Sequence, residues 1–313
     1  MLMEQHVIIG AGALGRAVAR TLADEGRPVR LLSRSGPAPL AGVETGQVDA
    51  ADPAALDAAL VGATVVYQCS QPVYTRWPQE FPGLQHGILE ATVRAGADLV
   101  LVDNLYSYGD TAGAVITENT PEKPASVKGA TRQRMASDAL DAHRAGRLRV
   151  AIARPSDYFG PGHDQTSAPV FGAAVRGKPI QVIGSADQPH STSFVPDAGR
   201  ALAMLGTSEQ GWGSIWIAPV QPALTQREFA QKVWAAAAQD GPPRLRIAGR
   251  RTLTALGLIV PIVREVVEML YEFEQPFIVD SSRFETTFGV TPTPLDEAIA
   301  ETADAYRAAL ARA

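Results

Sequence analysis

The sequence predicts an α/β protein: a doubly wound parallel sheet in the first half, followed by a smaller α+β C-terminal lobe. Three observations carry that expectation. From His6 to Ala153, short aliphatic runs alternate with amphipathic stretches, the rhythm of strand–helix–strand units. The strand-like runs place Val, Ile and Leu at consecutive positions, as strands covered on both faces do. After Pro155 the alternation stops and Gly and Pro become frequent.

The elements follow in order. His6–Ile9 reads as a strand, and a glycine turn leads into a helix over Leu14–Glu25 with Gly26 at its C-terminal stop. Val29–Leu32 and Val43–Val48 read as the next strands. Asp52-Pro53 supplies a cap and a proline at the first helical position for Ala54–Leu60, which Gly62 closes. A strand at Thr64–Gln68, a helix at Leu84–Ala95 ended by Gly96, and a strand at Leu99–Val102 continue the pattern. A helix over Ala130–Ala145, ended by Gly146, and a strand at Leu148–Ala153 complete it. Beyond Pro155 the pieces mix: Val170–Arg176, Ile180–Ile183, Ala198–Leu205, Ser214–Ile217 and Gln226–Ala238, the last opened by the capping box Thr225-Gln226-Arg227-Glu228. The expected division is 1–157 for the sheet domain and 158–313 for the second lobe, with residues from about 190 to 217 returning to the sheet.

Composition narrows the function. The chain has 313 residues, 46% hydrophobic and 19% charged, which fits a globular protein and not a disordered one. A net charge of −5 supplies neither the basic stripe that nucleic acid requires nor a polybasic patch for an anionic membrane, so neither is an expected partner. Cys69 is the single cysteine, so no intrachain disulfide can form. The first residues lack the basic start and cleavage site of a signal peptide, and Leu253–Leu270, interrupted by Pro261 and charges, reads as a packed helix pair. The expected location is the cytoplasm. The five histidines have no metal-ligand spacing, so no metal site is expected; His163 and His190 lie in loops, where they either face a cleft or, as lone loop histidines usually are, are solvated.

The first turn carries the chemistry. Gly10-Ala11-Gly12-Ala13-Leu14-Gly15 is a G-x-G-x-x-G between a strand and a helix, the dinucleotide-binding context of a Rossmann domain. Gly10 permits the tight turn, Gly12 lets the backbone approach a pyrophosphate, and Gly15 lets the helix pack closely on the sheet. Ala13 and Leu14 open a helix whose N-terminal N–H groups face the phosphates. Cofactor choice falls at the end of the second strand, where an NAD site places an acid on the ribose 2′-hydroxyl. Here the sequence is Ser33-Arg34-Ser35, so NADP(H) is expected over NAD(H), with Arg34 on the 2′-phosphate. Asp49 either contacts the adenine edge or makes a turn. Gln71, after the fourth strand, is a candidate ribose or amide contact.

These residues resemble the extended branch of the short-chain dehydrogenase/reductase superfamily, the NAD(P)-dependent epimerase/dehydratase group. The resemblance rests on Gly10–Gly15, Asp49, Tyr108-Gly109, the segment Arg154-Pro155-Ser156-Asp157-Tyr158-Phe159-Gly160-Pro161-Gly162, and Phe194-Val195-Pro196-Asp197. It implies a dinucleotide domain, a C-terminal substrate domain with a small molecule bound between the two, Pro155 among the cofactor contacts, and dimerisation through two helices of the first domain. The departure is catalytic. Where that family carries Tyr-x-x-x-Lys, this chain has Lys128-Gly129-Ala130-Thr131-Arg132, and Asn104 stands at its Ser/Thr position. The chain therefore resembles atypical members that have lost the triad.

Replacement groups lie after the fifth strand. Tyr106 is a candidate acid/base, Lys128 a proton donor or a cation that tunes Tyr106, and Asn104 a carbonyl or oxyanion contact; the plainer readings are a loop closure by Tyr106 and a solvated Lys128. Tyr74, Trp77 and Phe81 form either an aromatic wall over a ligand or a cap over the core. Two functions remain open: an NADP(H)-dependent oxidoreductase or epimerase acting on a small molecule, and a non-catalytic NADP(H)-binding sensor.

Overall fold

In the computed structural model, which describes residues 4–312, the chain divides into two compact units. The first comprises the chain up to Ser107, Val127–Pro155 and Pro196–Ala218; the second comprises Tyr108–Ser126, Ser156–Val195 and the chain from Pro219 onward.

The first unit contains β1 (His6–Ile9), α1 (Ala13–Asp24), β2 (Val29–Ser33), β3 (Glu44–Gln47), α2 (Pro53–Ala59), β4 (Val65–Gln68), α3 (Trp77–Ala95), β5 (Asp98–Val102), α4 (Val127–Arg144) and β6 (Val150–Arg154). With the strand Ile215–Ile217 at one edge, the sheet runs Ile215–Ile217, β6, β5, β4, β1, β2, β3, and every neighbouring pair is parallel. This is the doubly wound Rossmann order. The direction of winding reverses between β1 and β4, and a crevice outside the carboxyl ends of those two strands is where such sheets bind ligands.

The aliphatic runs become strands because they are covered on both sides. All four residues of β1 are buried, as are Leu99, Val100 and Leu101 of β5 and all of β6. One face packs Val7, Ile9, Val66, Leu99 and Ile152 against Ile88 of α3 and Ala139 of α4. The predicted caps form: Asp52 Oδ1 accepts the N–H groups of Ala54 and Ala55 at 3.0 and 3.3 Å, and Gly96 ends α3 at φ 67°.

Two helices begin earlier than expected. Expected from Leu84, α3 starts at Trp77 with Pro82 inside it. The missing proline N–H is tolerated because the extra turns bury Trp77 and Phe81 against Met135. Starting at Val127 and not at Ala130, α4 moves Lys128 from a loop onto a first helical turn.

The second unit has its own core. Phe159 packs against Phe171, Phe194 and Phe229 at ring-centroid distances of 6.0, 5.4 and 5.2 Å, with Val233, Trp234 and Ile299 around them. The strand Ile180–Ile183 pairs in parallel with Leu245–Ala248. The capping box at Thr225 forms, with Glu228 N–H donating to Thr225 Oγ1 at 3.1 Å and Thr225 N–H to Glu228 Oε2 at 2.9 Å. The stretch predicted as a helix pair folds as helices Arg250–Gly257 and Pro261–Val267. Among the described residues, no helix is long and apolar enough to cross a membrane.

The N-terminal strand also carries a titratable group. His6 is fully buried, with Nδ1 3.0 Å from the Tyr67 hydroxyl. Burial, assisted by Arg27, lowers its pKa from 6.5 to about 4. The unfolded chain thus binds this proton before the folded one, and stability falls as pH drops below the unfolded value of 6.5. Equilibrium urea unfolding of the protein is expected to lose about 2 kcal/mol to this one group by about pH 5. The slope over that window should diminish in His6→Gln, whatever the variant's stability at neutral pH.

Candidate active site

The crevice at the strand reversal is built from bare backbone. Gly10 leaves β1 at φ 114°, and a Cβ there would lie 2.5 Å from the Cys69 carbonyl carbon and the Ser70 nitrogen. A Cβ on Gly15 would meet the Gly10 carbonyl oxygen at 1.8 Å, so α1 sits directly on the turn. At Gly12 a Cβ would meet nothing within 4 Å, so the space before the helix is open. Gly12 caps α1 with no side-chain hydrogen bond and no acid in the first turn, which leaves the first N–H groups of Ala13 and Leu14 uncapped and their positive end unopposed. The Ser70 hydroxyl, buried beside Gly10, has no hydrogen-bond partner among the described residues. Open space, free amide donors and an orphaned hydroxyl fit the diphosphate of a dinucleotide.

Around this turn the sequence-predicted residues take definite places. Ser33 ends β2, and Arg34, exposed beyond it, is held through its carbonyl by Gln47 Nε2 at 3.0 Å. Sequence reasoning missed Arg16, on the first turn of α1, whose guanidinium donates to the Ala38 carbonyl at 3.0 Å, on the loop that follows Arg34. Its position directly after Gly15 was the available signal. Asp49 makes a turn, with Oδ1 accepting the Ala51 N–H at 3.0 Å. Gln71 is exposed just past Ser70, and Pro155 is buried just past β6. Burial pushes the Cys69 thiol up to about 12, so it stays protonated.

A second group gathers at the ends of β5 and α4. Lys128, expected by one reading to be solvated, is 1% exposed, and its Nζ sits 4.7 Å from the centroid of the Tyr74 ring. The Tyr74 hydroxyl donates to the Tyr106 hydroxyl at 3.3 Å. The Trp77 ring lies 5.0 Å from Tyr74 and 6.2 Å from Tyr106. Lys128 therefore reaches Tyr106 through Tyr74. Asn104 Oδ1 accepts the Tyr106 N–H at 3.2 Å, which commits its oxygen to fixing the loop and leaves its amide nitrogen as a donor. Tyr74, Trp77 and Phe81 divide between both sequence readings: Phe81 and Trp77 are core, while Tyr74 joins the polar group.

Arg132, one helical turn after Lys128, is held differently. Its Nε donates to Asp103 Oδ1 at 2.6 Å and its guanidinium to the Val102 carbonyl at 2.6 Å. Arg154 donates to the other Asp103 oxygen at 2.7 Å. Burial pulls the Asp103 carboxyl up, but the two guanidiniums outweigh it and hold the group below its ordinary range. Arg132 is thereby committed to a buried ion triad and Lys128 is not part of it.

In the second unit, His190 departs from expectation as well. It is buried between Phe273 and Phe277, at ring distances of 4.7 and 5.0 Å, with Nε2 3.0 Å from Asp157 Oδ2 and Nδ1 3.0 Å from the Glu272 carbonyl. No group of histidine, cysteine or acidic side chains suited to a metal occurs among the described residues.

The strand order and the glycine turn define a nicotinamide-dinucleotide-binding enzyme class. Residues 7–214 match the model of the NAD dependent epimerase/dehydratase family, and the chain belongs to that family. Among solved structures, it is similar to UDP-glucose 4-epimerase of Thermus thermophilus (18% identity, 97% of this chain and 99% of that one, TM-score 0.79). It is likewise similar to an epimerase of Methanothermobacter thermautotrophicus (14% identity, 99% and 94%, TM-score 0.83). The dTDP-glucose 4,6-dehydratase of Streptomyces venezuelae aligns too, at 19% identity over 97% of each chain with a TM-score of 0.78. A search of curated proteins finds no match.

The ion triad yields a stability prediction. Asp103→Asn leaves two buried guanidiniums facing a neutral amide, and urea unfolding should show a loss of about 3–5 kcal/mol. An unchanged denaturation midpoint would remove the triad as a structural clamp.

Proposed function

We propose that the chain is an NADP(H)-dependent oxidoreductase or epimerase acting on a small molecule, with its reaction centre at Tyr106 and Lys128. The observation that supports this most directly is the open, uncapped N-terminus of α1 against the pinched turn at Gly10, beside a β2 end that carries Arg34 and no acid. Gly10, Gly12, Ala13, Leu14 and Gly15 hold the diphosphate. Ser33 and Arg34 take the 2′-phosphate, where an acid would repel it. Gln71, Pro155 and Lys128 complete the cofactor contacts, and Asp49 acts through its turn.

Bound there, the dinucleotide supplies or accepts a hydride. The protein's own part is the proton. The Tyr106 hydroxyl oxygen accepts from Tyr74, and in the reaction its own O–H donates to an oxygen that gains charge. The Lys128 ammonium over the Tyr74 ring favours negative charge along the Tyr74–Tyr106 pair. Asn104 is a positioning residue, since its oxygen holds the Tyr106 backbone. Two adjacent tyrosines and a buried lysine thus stand in for the lost Tyr-x-x-x-Lys. Membership of an enzyme family and this polar group both favour catalysis over a bare sensor.

Calorimetric titration tests the cofactor assignment. Arg34→Ala is expected to weaken NADPH binding about tenfold or more while NADH binding stays unchanged, one charge-assisted contact being worth roughly 1.5–3 kcal/mol. Equal affinity of the unaltered protein for both cofactors would overturn it. For the chemistry, Tyr106→Phe should lower kcat about a hundredfold or more with little change in NADPH affinity, as loss of a general acid does. Lys128→Met should lower kcat too, and it should also move the pH–rate profile of any substrate that is turned over. Full activity in both variants would end the acid/base proposal.

A further inference from the structure

The second unit carries a surface that the dinucleotide reading does not use. Between Gly241 and Glu268 the chain holds five arginines against two acids, Glu265 and Glu268, in a protein whose net charge is −5. Elsewhere surface arginines are commonly neutralised: Arg27, Arg94, Arg147, Arg149 and Arg227 all have carboxylate partners. In this segment Arg250 pairs with Glu274, whereas Arg244, Arg246, Arg251 and Arg264 are exposed and make no ion pair among the described residues.

The same segment presents exposed aliphatic side chains. The helices Arg250–Gly257 and Pro261–Val267 form a hairpin, and a Cβ on Gly257 would lie only 3.0 Å from the Arg264 Cα, so their backbones nearly touch. Leu253 and Gly257 are buried on the inner face. At the tip, Leu258 is 84% and Ile259 79% exposed, flanked by exposed Leu256 and Ile262. The tip is an ordered projection: Ile259 N–H donates to Leu256 O at 3.1 Å, Val260 N–H to Leu256 O at 3.0 Å, and Pro261 has no N–H to satisfy. A polar backbone satisfied in this way can enter an apolar medium without an open hydrogen-bond donor.

We infer that this hairpin docks on an anionic lipid surface, with Leu258 and Ile259 entering the acyl boundary and Arg251 and Arg264 resting on the headgroups. Charge complementarity selects that occupant: over residues 241–268 five arginines outnumber the two acids, Glu265 and Glu268, and an arginine-rich segment beside an apolar tip suits anionic lipid. A second copy of the chain would bring arginines against arginines. A few aliphatic side chains on a convex tip are also far short of the roughly 800 Å² per partner of a stable protein interface. The whole-chain charge of −5 hides the patch, because most of the compensating acids lie elsewhere in the sequence.

Flotation of the full chain with vesicles tests the inference, comparing phosphatidylcholine alone with a three-to-one mixture of phosphatidylcholine and phosphatidylserine. The protein is expected to float with the mixed vesicles only, and to be released as salt rises from about 0.05 M to 0.5 M. Leu258→Ser combined with Ile259→Ser should lower the partition coefficient about tenfold, and Arg251→Gln with Arg264→Gln should lower it several-fold. Both pairs should leave NADPH binding unchanged, since the altered side chains face outward. Absence of flotation, or flotation equal in all variants, would overturn the inference. So would concentration-dependent self-association in gel filtration that the Leu258/Ile259 double variant abolishes, or capture of the arginine face by an acidic polypeptide in preference to vesicles.

Discussion

Everything at the ligand-binding edge of the first unit depends on how closely three pieces of main chain pass at Gly10. The end of β4 crosses it on one side and α1 presses its third glycine onto its carbonyl on the other, at separations that no side chain could share. This contact fixes the direction of α1 relative to the sheet. Because α1 points its first turn at the strand reversal, its unpaired amides converge on one open space and do not face solvent at random. The missing side chains at Gly10 and Gly15 thus set the position of several positive dipoles.

The second constraint is electrostatic. Three cations lie buried close to the ends of β5, β6 and α4, and Asp103 is the acid that holds two of them. Arg132 and Arg154 clamp the ends of adjacent strands through one carboxylate, which leaves the neighbouring loop free to carry Tyr106 and Asn104. Arg132 is part of the scaffold, and Lys128, one helical turn earlier, lies against an aromatic ring near a pair of hydroxyls. Four residues apart on α4, the two cations share a face of the helix and yet serve different partners.

The sheet was legible because burial on both faces writes consecutive aliphatic residues, and because Gly26, Gly62, Gly96 and Gly146 mark element ends. The nucleotide turn was legible because its glycines are required one by one. The start of α3 was not: Pro82 argues against a helix locally, and only the tertiary burial of Trp77 and Phe81 reverses that argument. The burial of Lys128 and of His190 was equally hidden, since each depends on partners far away in sequence, Tyr74 for one and Asp157 with Glu272 for the other. Pairings of this kind leave no period or spacing to read.

The crowding at Gly10 also settles the character of the protein's single thiol. With its sulfur desolvated beside that turn and its pKa near 12, Cys69 offers almost no thiolate at neutral pH, and thiolate is the form that peroxides, disulfides and alkylating reagents attack. Thiol-directed oxidants should therefore react slowly with the folded chain at neutral pH. A maleimide or iodoacetamide should likewise label it more slowly in the folded chain than in the unfolded one, so alkylation reports on the state of the main chain at that turn.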